Sequence, residues 1–168
     1  DPSGWTSADV ETALRGAGAL HAIWMGREAE LTAQPWIGLV PSARRMAAMH
    51  PLWDALTDHA AVEFPWLMPE HELRRQRALI ARLPDWWRDV EAMPRTLIHN
   101  DFNPRNICVR DTNGTAMLCA YDWELATLHL PQHDAVELLA FVLSPDVDAR
   151  QALHYVELHR RAVADAGA

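Results

Sequence analysis

The dipeptide Asn113-Gly114 constrains the fold of this chain more than any other short stretch. Asn-Gly favours the two-residue turn of a β-hairpin, because that turn requires a positive φ angle at both central residues. Extended, largely apolar runs at 107–110 and 115–121 flank the turn, so the sequence predicts an antiparallel hairpin. The turn therefore also determines which residues of the two strands face each other.

The predicted register places two oxygen-bearing side chains at the open end of the hairpin. Asn106 faces Tyr121 across the strands, and Asp122 follows Tyr121 directly. Amide and carboxylate oxygens that converge in this way suit a hard cation such as Mg²⁺, which completes its shell with water and phosphate oxygens. Asp101, on the loop that enters the hairpin, could reach the same space, where it would accept a proton from a nucleophilic hydroxyl or orient it.

Cys108 and Cys119 are the only cysteines of the chain, and the same register makes them face each other. Two interpretations stay open. The pair forms a cross-strand disulfide, or it is a pair of small buried hydrophobic residues that needs no oxidising compartment. Because two cysteines are too few for a disulfide scaffold, the sequence favours a reducing, cytoplasmic location.

Outside the hairpin, apolar residues recur mostly at helical spacing. A strand is expected at 96–98, and two prolines and a glycine predict a loop from Gln34 to Pro41. The fold class is therefore α+β and mostly α-helical, a helical bundle with a short β-hairpin. The first predicted helix is 7–27, in which Gly16 and Gly18 indicate a close packing neighbour. The second runs from the cap Ser42 through Leu56 and is kinked or divided by Pro51; a third at 70–83 and a short segment at 84–94 follow. Two more helices are predicted, one after Pro131 that buries Val136, Leu139, Ala140 and Leu143, and a last one from Ser144-Pro145 to about residue 164.

The composition bounds the partners of this chain of 168 residues. A formal net charge of −8 argues against a nucleic-acid backbone or an anionic membrane as the main partner, and favours a cationic or neutral substrate. Apolar residues make up 49% and charged residues 23%, as in ordinary globular domains. The longest apolar runs are far too short to span a membrane, so we expect a soluble protein of one domain.

A different metal chemistry is conceivable around His129, His133, Asp134 and Glu137. These residues lack the His-Glu-x-x-His arrangement and a third ligand on a supporting helix. The sequence therefore disfavours a zinc hydrolase.

Four motifs carry a resemblance to a known family: His99-x-Asp101-x-x-x-x-Asn106, Asp122-Trp123-Glu124, Leu20-His21-Ala22 and His133-Asp134-Ala135-Val136-Glu137-Leu138. The first two are similar to the catalytic loop and metal-binding Asp of kinases, and the details resemble the aminoglycoside phosphotransferase and choline kinase-like small-molecule kinases more than protein kinases. The resemblance implies a protein-kinase-like C-terminal lobe over residues 1–168, with a helical substrate-side region at 42–93 and a catalytic core at 97–143.

The resemblance also implies a reaction and a role for each matching residue. The reaction would move the γ-phosphoryl group of ATP, or of GTP, to a hydroxyl of a small molecule such as an aminoglycoside or an amino alcohol. Mg²⁺ would be the metal cofactor. In that reading Asp101 is the catalytic base, Asn106 and Asp122 are the Mg²⁺ ligands, His99 and Asp134 support the catalytic loop, and Asn103, Arg105 and Glu124 contact phosphate or substrate.

One departure from the family pattern is the absence of lysine from the sequence. The family's N-terminal lobe supplies a phosphate-covering loop and a lysine that contacts the phosphates, and this chain shows neither a Gly-rich phosphate loop nor the lysine. We therefore expect an N-terminal lobe from sequence not shown, and weak or no activity from this chain alone. The alternative is a catalytically silent kinase-like lobe that binds a ligand or a protein.

Overall fold

The computed structural model describes residues 4–144 and 146–167. Helices dominate, and the strands are short, so the predicted α+β, mostly helical fold class is confirmed. The helices are α1 (Ser7–Trp24), α2 (Glu28–Thr32), α3 (Ala43–Ala48), α4 (His50–Glu63), α5 (Glu70–Ala81), α6 (Leu83–Ala92), α7 (Gln132–Val142) and α8 (Ala149–Asp165); the strands are β1 (Gly38–Leu39), β2 (Thr96–Ile98), β3 (Ile107–Thr112), β4 (Thr115–Ala120) and β5 (Thr127–His129), with a 3₁₀ turn at Trp123–Leu125.

The chain divides into two compact units. The first unit comprises the residues up to Val40 and those from Pro94 onward, and the second unit is Pro41–Met93. The second unit has nearly the extent of the predicted substrate-side region, 42–93. Its role toward a substrate stays a prediction, as does the description of residues 1–168 as a single lobe.

Helix α1 is the central helix of the first unit. It begins with a capping box, in which the Thr6 hydroxyl accepts from the N–H of Asp9 while the Asp9 carboxylate accepts from the N–H of Thr6. Gly18 lies so close to α8 that an added Cβ would be 2.6 Å from the Cβ of Ala162. The predicted close neighbour of Gly18 is therefore confirmed. The helix ends at Trp24, three residues before the predicted end.

The hairpin has the predicted turn and the predicted register. Strands β3 and β4 pair antiparallel with Thr112 facing Thr115 and Cys108 facing Cys119. Asn113 and Gly114 both have positive φ angles, as the turn requires. Both cysteines are free thiols of intermediate exposure, so the disulfide interpretation is not realised in this structure.

A second small sheet was not expected. Strand β5 pairs with β2 antiparallel and with β1 in parallel, giving the order β1-β5-β2. Strand β1 lies inside the stretch 34–41 that the sequence predicts as loop. The strands have two or three residues each, too few for an alternating pattern to be visible in sequence.

The second unit is a group of helices with little buried side-chain surface. Ser42 caps α3 as predicted, accepting from the N–H of Arg45. The second predicted helix is divided at Met49, and Pro51 occupies the first turn of α4, where its missing N–H is tolerated. The predicted third helix corresponds to α5, and its arginines are exposed and paired with nearby carboxylates.

The predicted start of the last helix is wrong, and the predicted buried face of the helix after Pro131 is right at Leu139 but wrong at Val136 and Ala140. Helix α8 begins at Ala149 with Asp148 as its N-cap, not at Ser144; Pro145 lies outside the described residues. Helix α7 buries Asp134, Ala135, Leu138 and Leu139, and leaves Val136 54% exposed and Ala140 at the surface. The buried face of α7 differs from the predicted one because it includes the carboxylate of Asp134, which apolar spacing does not indicate.

Among the described residues, no helix combines the length and the apolarity that crossing a membrane would demand.

Candidate active site

The carboxylate of Asp101 is held from both sides by amide groups. The side-chain N–H₂ of Asn103 donates to one carboxylate oxygen at 2.6 Å, and that of Asn106 donates to the other at 2.6 Å. Asn103 and Asn106 are themselves buried, whereas Asp101 is partly exposed. Two hydrogen bonds from buried amide donors fix the direction of the carboxylate.

Asn106 and Asp122 leave the hairpin at the same end. The backbone N–H of Tyr121 donates to the carbonyl of Asn106 at 3.0 Å, which extends the ladder to these residues. Asp122 then takes a left-handed conformation, with φ 63° and ψ 61°. Such a conformation costs a non-glycine residue about 1–2 kcal/mol, although Asp tolerates it better than most. The hairpin thus ends in an exposed carboxylate beside an amide that already contacts Asp101.

Asp134 anchors the loop that carries Asp101. Its two carboxylate oxygens accept from the backbone N–H groups of His99 and Asn100, at 2.8 and 2.9 Å, and from the ring of His21 at 3.1 Å. Asn100 has a positive φ of 63°, and the anchor holds this uncommon conformation in place. The direction in which the chain enters Asp101 therefore depends on a carboxylate 35 residues away from His99 in sequence.

The surroundings of Asp134 shift its pKa in opposite directions. Complete burial, the largest single influence, acts to raise the pKa of this carboxyl. The hydrogen bond from His21, together with the N–H groups of His99 and Asn100, outweighs burial, so that the pKa is lowered. The group is an anion that the surrounding donors stabilise.

The ring of His99 connects the loop that carries Asp101 to the end of the hairpin. Its Nε2 lies 2.8 Å from the carbonyl of Tyr121, so Nε2 carries the proton and donates. The ring also packs against Trp123 with centroids 4.6 Å apart. Its Nδ1 is buried with no hydrogen-bond partner among the described residues. His99 therefore fixes the backbone directly before Asp122.

The other predicted contact residues are less constrained. Arg105 is exposed, and its backbone N–H donates to the side-chain oxygen of Asn103 at 3.1 Å, while its carbonyl accepts from the hydroxyl of Tyr121 at 2.6 Å. Glu124 is exposed on the 3₁₀ turn, and within residues 4–144 and 146–167 the structure gives its carboxylate no hydrogen bond or ion pair. The structure thus brings Asn103 into contact with Asp101 and Arg105 into contact with Asn103, but gives Glu124 no contact with this group among the described residues.

Sequence reasoning missed two residues of this region. Glu137 accepts from the N–H of Phe102 at 2.9 Å, which fixes the residue after Asp101. It lies one helical turn after Asp134, and residues three apart share a helix face, so this contact could have been found. The second is His159 of α8, 2.9 Å from the ring of His21, for which no local signal exists in the sequence.

The described residues contain no group of three or more His, Cys, Asp or Glu side chains that could hold a metal ion. His129 and His133 do stack, with centroids 4.9 Å apart, but burial and the nearby His133 lower the pKa of His129 to about 4. The zinc interpretation thus gains no support. A site made of one carboxylate and one amide, Asp122 and Asn106, is compatible with this result.

Comparison with known proteins gives a family and a set of weakly similar structures. The family model described as "Phosphotransferase enzyme family" matches residues 7–165. No curated protein gives a significant match. Among solved structures, glucosamine kinase in crystal form A is similar at 21% identity and a TM-score of 0.45, over 99% of this chain and 44% of that chain. Glucosamine kinase in complex with glucosamine, ADP and inorganic phosphate is similar at 21% identity and a TM-score of 0.43, over 91% of this chain and 38% of that chain. The chain spans less than half the length of these structures.

Proposed function

We propose, since this chain belongs to the phosphotransferase enzyme family, that it carries the base and the metal ligands of a small-molecule kinase. The reaction moves the γ-phosphoryl group of ATP to a hydroxyl of the acceptor. The hydroxyl oxygen forms the new bond to phosphorus, the bond between the γ-phosphorus and the bridging oxygen breaks, and ADP leaves with that oxygen. In such reactions most of the rate enhancement comes from positioning and charge stabilisation.

The observation that carries the proposal is the hydrogen bonding of Asp101. Its two oxygens are held by Asn103 and Asn106 at 2.6 Å each, so the carboxylate keeps one direction while staying partly exposed. A carboxylate that merely capped a loop would not need two buried amides. We assign Asp101 the role of orienting the acceptor hydroxyl and taking its proton.

Asn106 and Asp122 fit a magnesium ion by the chemistry of their donor atoms. The N–H₂ of Asn106 is used toward Asp101, which leaves its amide oxygen as the ligand atom, and Asp122 offers an exposed carboxylate. Mg²⁺ takes one or two such protein oxygens and keeps water and phosphate oxygens for the rest of its shell. When bound, it neutralises charge on the transferred phosphoryl group and the leaving diphosphate.

The remaining assignments follow from charge and from the family. The net charge of −8 favours a cationic acceptor, such as an aminoglycoside or an amino alcohol, and the helices of the second unit are proposed as the acceptor side. Because the sequence has no lysine, we propose that an N-terminal lobe outside it supplies the phosphate-binding lysine. The proposed location is the cytoplasm.

Calorimetry with Mg·ATP tests the metal site. We expect weak binding to this chain and clear binding once the N-terminal lobe is present. In that longer form Asp122→Asn and Asn106→Ala should each weaken Mg·ATP binding by about tenfold or more. The matched control Asp165→Asn removes an exposed carboxylate at the end of α8 and should bind as the wild type does.

An acceptor panel then tests the reaction. Aminoglycosides, amino alcohols and glucosamine are incubated with ATP or GTP, and phosphorylated product is detected by phosphorus NMR. Transfer to one acceptor class supports the kinase. If neither form binds a nucleotide and no acceptor is phosphorylated, the chain is a silent ligand- or protein-binding lobe instead.

A further inference from the structure

A pair of buried histidines lies behind the anchor of the catalytic loop. His159 of α8 and His21 of α1 are both fully buried, and Nε2 of His159 is 2.9 Å from Nδ1 of His21. The rings meet edge to face, with centroids 5.1 Å apart. Buried polar groups are costly unless they make hydrogen bonds. A leucine on each helix would fill such space without that cost, so the pair calls for an explanation beyond packing.

The positions of the protons follow from the partners. Nε2 of His21 faces the carboxylate of Asp134 at 3.1 Å and must therefore carry a proton, since a lone pair there would repel the anion. A second proton on Nδ1 of His21 would make Nε2 of His159 the acceptor and leave an N–H on Nδ1 of His159 buried without an acceptor among the described residues, so Nδ1 of His21 accepts. Nε2 of His159 is the group in reach and donates to it, which leaves Nδ1 of His159 as a lone pair with no partner among the described residues.

This direction of hydrogen bonding agrees with the environment of His159. Burial lowers the pKa of His159 to about 4, so the ring is neutral at physiological pH. A neutral ring has one donor and one acceptor. The donor is used toward His21.

We infer that His159 is a positioning residue that acts through His21 and Asp134 on the catalytic loop. By donating to Nδ1 of His21 it holds the ring with Nε2 toward Asp134. Asp134 in turn holds the N–H groups of His99 and Asn100. That this loop is catalytic rests on the proposed function. The hydrogen bonds from His159 through His21 to Asp134, called the relay below, do not depend on it.

The proposal predicts a local effect that differs between two substitutions. Glutamine at position 159 can place an N–H near the position of Nε2, whereas leucine cannot. His159→Leu should speed the hydrogen exchange of the His99 and Asn100 amides by about tenfold, and His159→Gln by much less. The internal control is the amide of Leu143, which donates to Leu139 at the end of α7 and lies outside the relay.

Exchange measured by NMR on this chain decides between positioning and mere packing. Selective loss of protection at His99 and Asn100 in His159→Leu, restored in His159→Gln, supports the relay. Equal acceleration at His99, Asn100 and Leu143, or no change at all, overturns it. Because exchange needs no substrate, an inactive protein would count against the proposed function and leave this result intact.

Two further readouts complete the test. In an active longer form, His159→Leu should lower kcat and leave the KM for ATP nearly unchanged. If His159→Leu does not fold, nitrogen NMR of the histidine rings of the wild type still tests the relay. A proton on Nε2 of His21 is expected, and an unprotonated Nε2 there overturns the proposal.

Discussion

The two units of this protein differ in how many polar side chains they bury. In the first unit, most buried polar side chains make hydrogen bonds in or around the loop that carries Asp101 and its anchor Asp134. In the second unit, Thr57 is the buried polar side chain among the described residues, and the charges pair at the surface. The buried polar residues of the first unit are His21, Thr96, His99, Asn103, Asn106, Thr127, Asp134 and His159.

This difference indicates in which unit the stability of the fold and the geometry of the loop depend on the same side chains. A buried polar group that loses its partner costs the full desolvation penalty, whereas an exposed ion pair is worth a fraction of a kcal/mol. Changes in the first unit should therefore affect folding and the shape of the loop together. Equivalent changes in the second unit should affect neither by much.

Removal of the loop anchor should give the largest effect. Asp134→Ala leaves the backbone N–H groups of His99 and Asn100 and the buried ring of His21 without their acceptor, and should cost about 3–5 kcal/mol of unfolding free energy. Urea unfolding followed by circular dichroism measures it. The control Asp165→Ala, which removes an exposed carboxylate, should stay within about 0.5 kcal/mol of the wild type. A cost below about 1 kcal/mol for Asp134→Ala would show that the buried set is not coupled to stability.

Acid should weaken the first unit through His159. Its pKa is about 4 in the folded protein and about 6.5 when unfolded, so the unfolded state binds more protons between these values. Stability is complete above pH 6.5 and is lost as the pH falls toward 4. Between pH 7 and pH 5, His159 should account for a loss of about 1–2 kcal/mol that His159→Gln lacks, whereas the loss from His129, whose pKa is also about 4, is common to both proteins. The lowered pKa of Asp134 acts only below about pH 4. Urea midpoints at the two pH values check this, and equal losses in both proteins would contradict it.

The packing between α1 and α8 gives a smaller effect. Gly18→Ala puts a Cβ 2.6 Å from the Cβ of Ala162 and 3.0 Å from the N of Val163, and backbone cannot move aside cheaply. Overpacking costs about 1–3 kcal/mol, which exceeds the gain of about 1 kcal/mol from placing alanine in a helix. We expect a net loss of about 1 kcal/mol in thermal unfolding. Gly4→Ala, which meets no atom within 4 Å, is the control, and a stabilised Gly18→Ala protein would be the opposite result.

The second unit should be the least sensitive. Glu70 and Arg74 pair one turn apart on α5, and both are exposed. Replacing both with glutamine should change the unfolding free energy by less than about 0.5 kcal/mol, because water and salt screen such pairs. A loss comparable to that of Asp134→Ala would remove the contrast between the units. Urea unfolding at low and high salt makes the measurement.

Features set by local chemistry were predictable from sequence. The turn at Asn113-Gly114 determines its own register, and the register alone places Asn106 and Asp122 at one end of the hairpin. Ser42 as a helix cap follows from the same kind of rule. The sequence predicts that Asp101 reaches the space near Asn106, and in the structure the two side chains are joined by a direct hydrogen bond.

Features set by distant partners were not predictable. Strand β1 forms because β5 offers a neighbour, and its two residues carry no pattern of their own. On α7, apolar spacing predicts that Val136 and Ala140 are buried. The helix instead buries the face that carries Asp134, because Asp134 contacts His21 and the loop. Asp148 competes with Ser144 as a cap, and both types cap helices well, so the sequence cannot choose between them.

The most direct test of the proposed function is phosphoryl transfer by Asp101→Ala beside the control Asp165→Ala, in the form that carries the N-terminal lobe. In the proposed function Asp101 orients and deprotonates the acceptor hydroxyl, so its loss should lower the transfer rate by about 10²–10⁴ while Mg·ATP affinity stays within about threefold. The control should transfer at the wild-type rate. A rate for Asp101→Ala within about threefold of the wild type would contradict the assignment of Asp101 as the base.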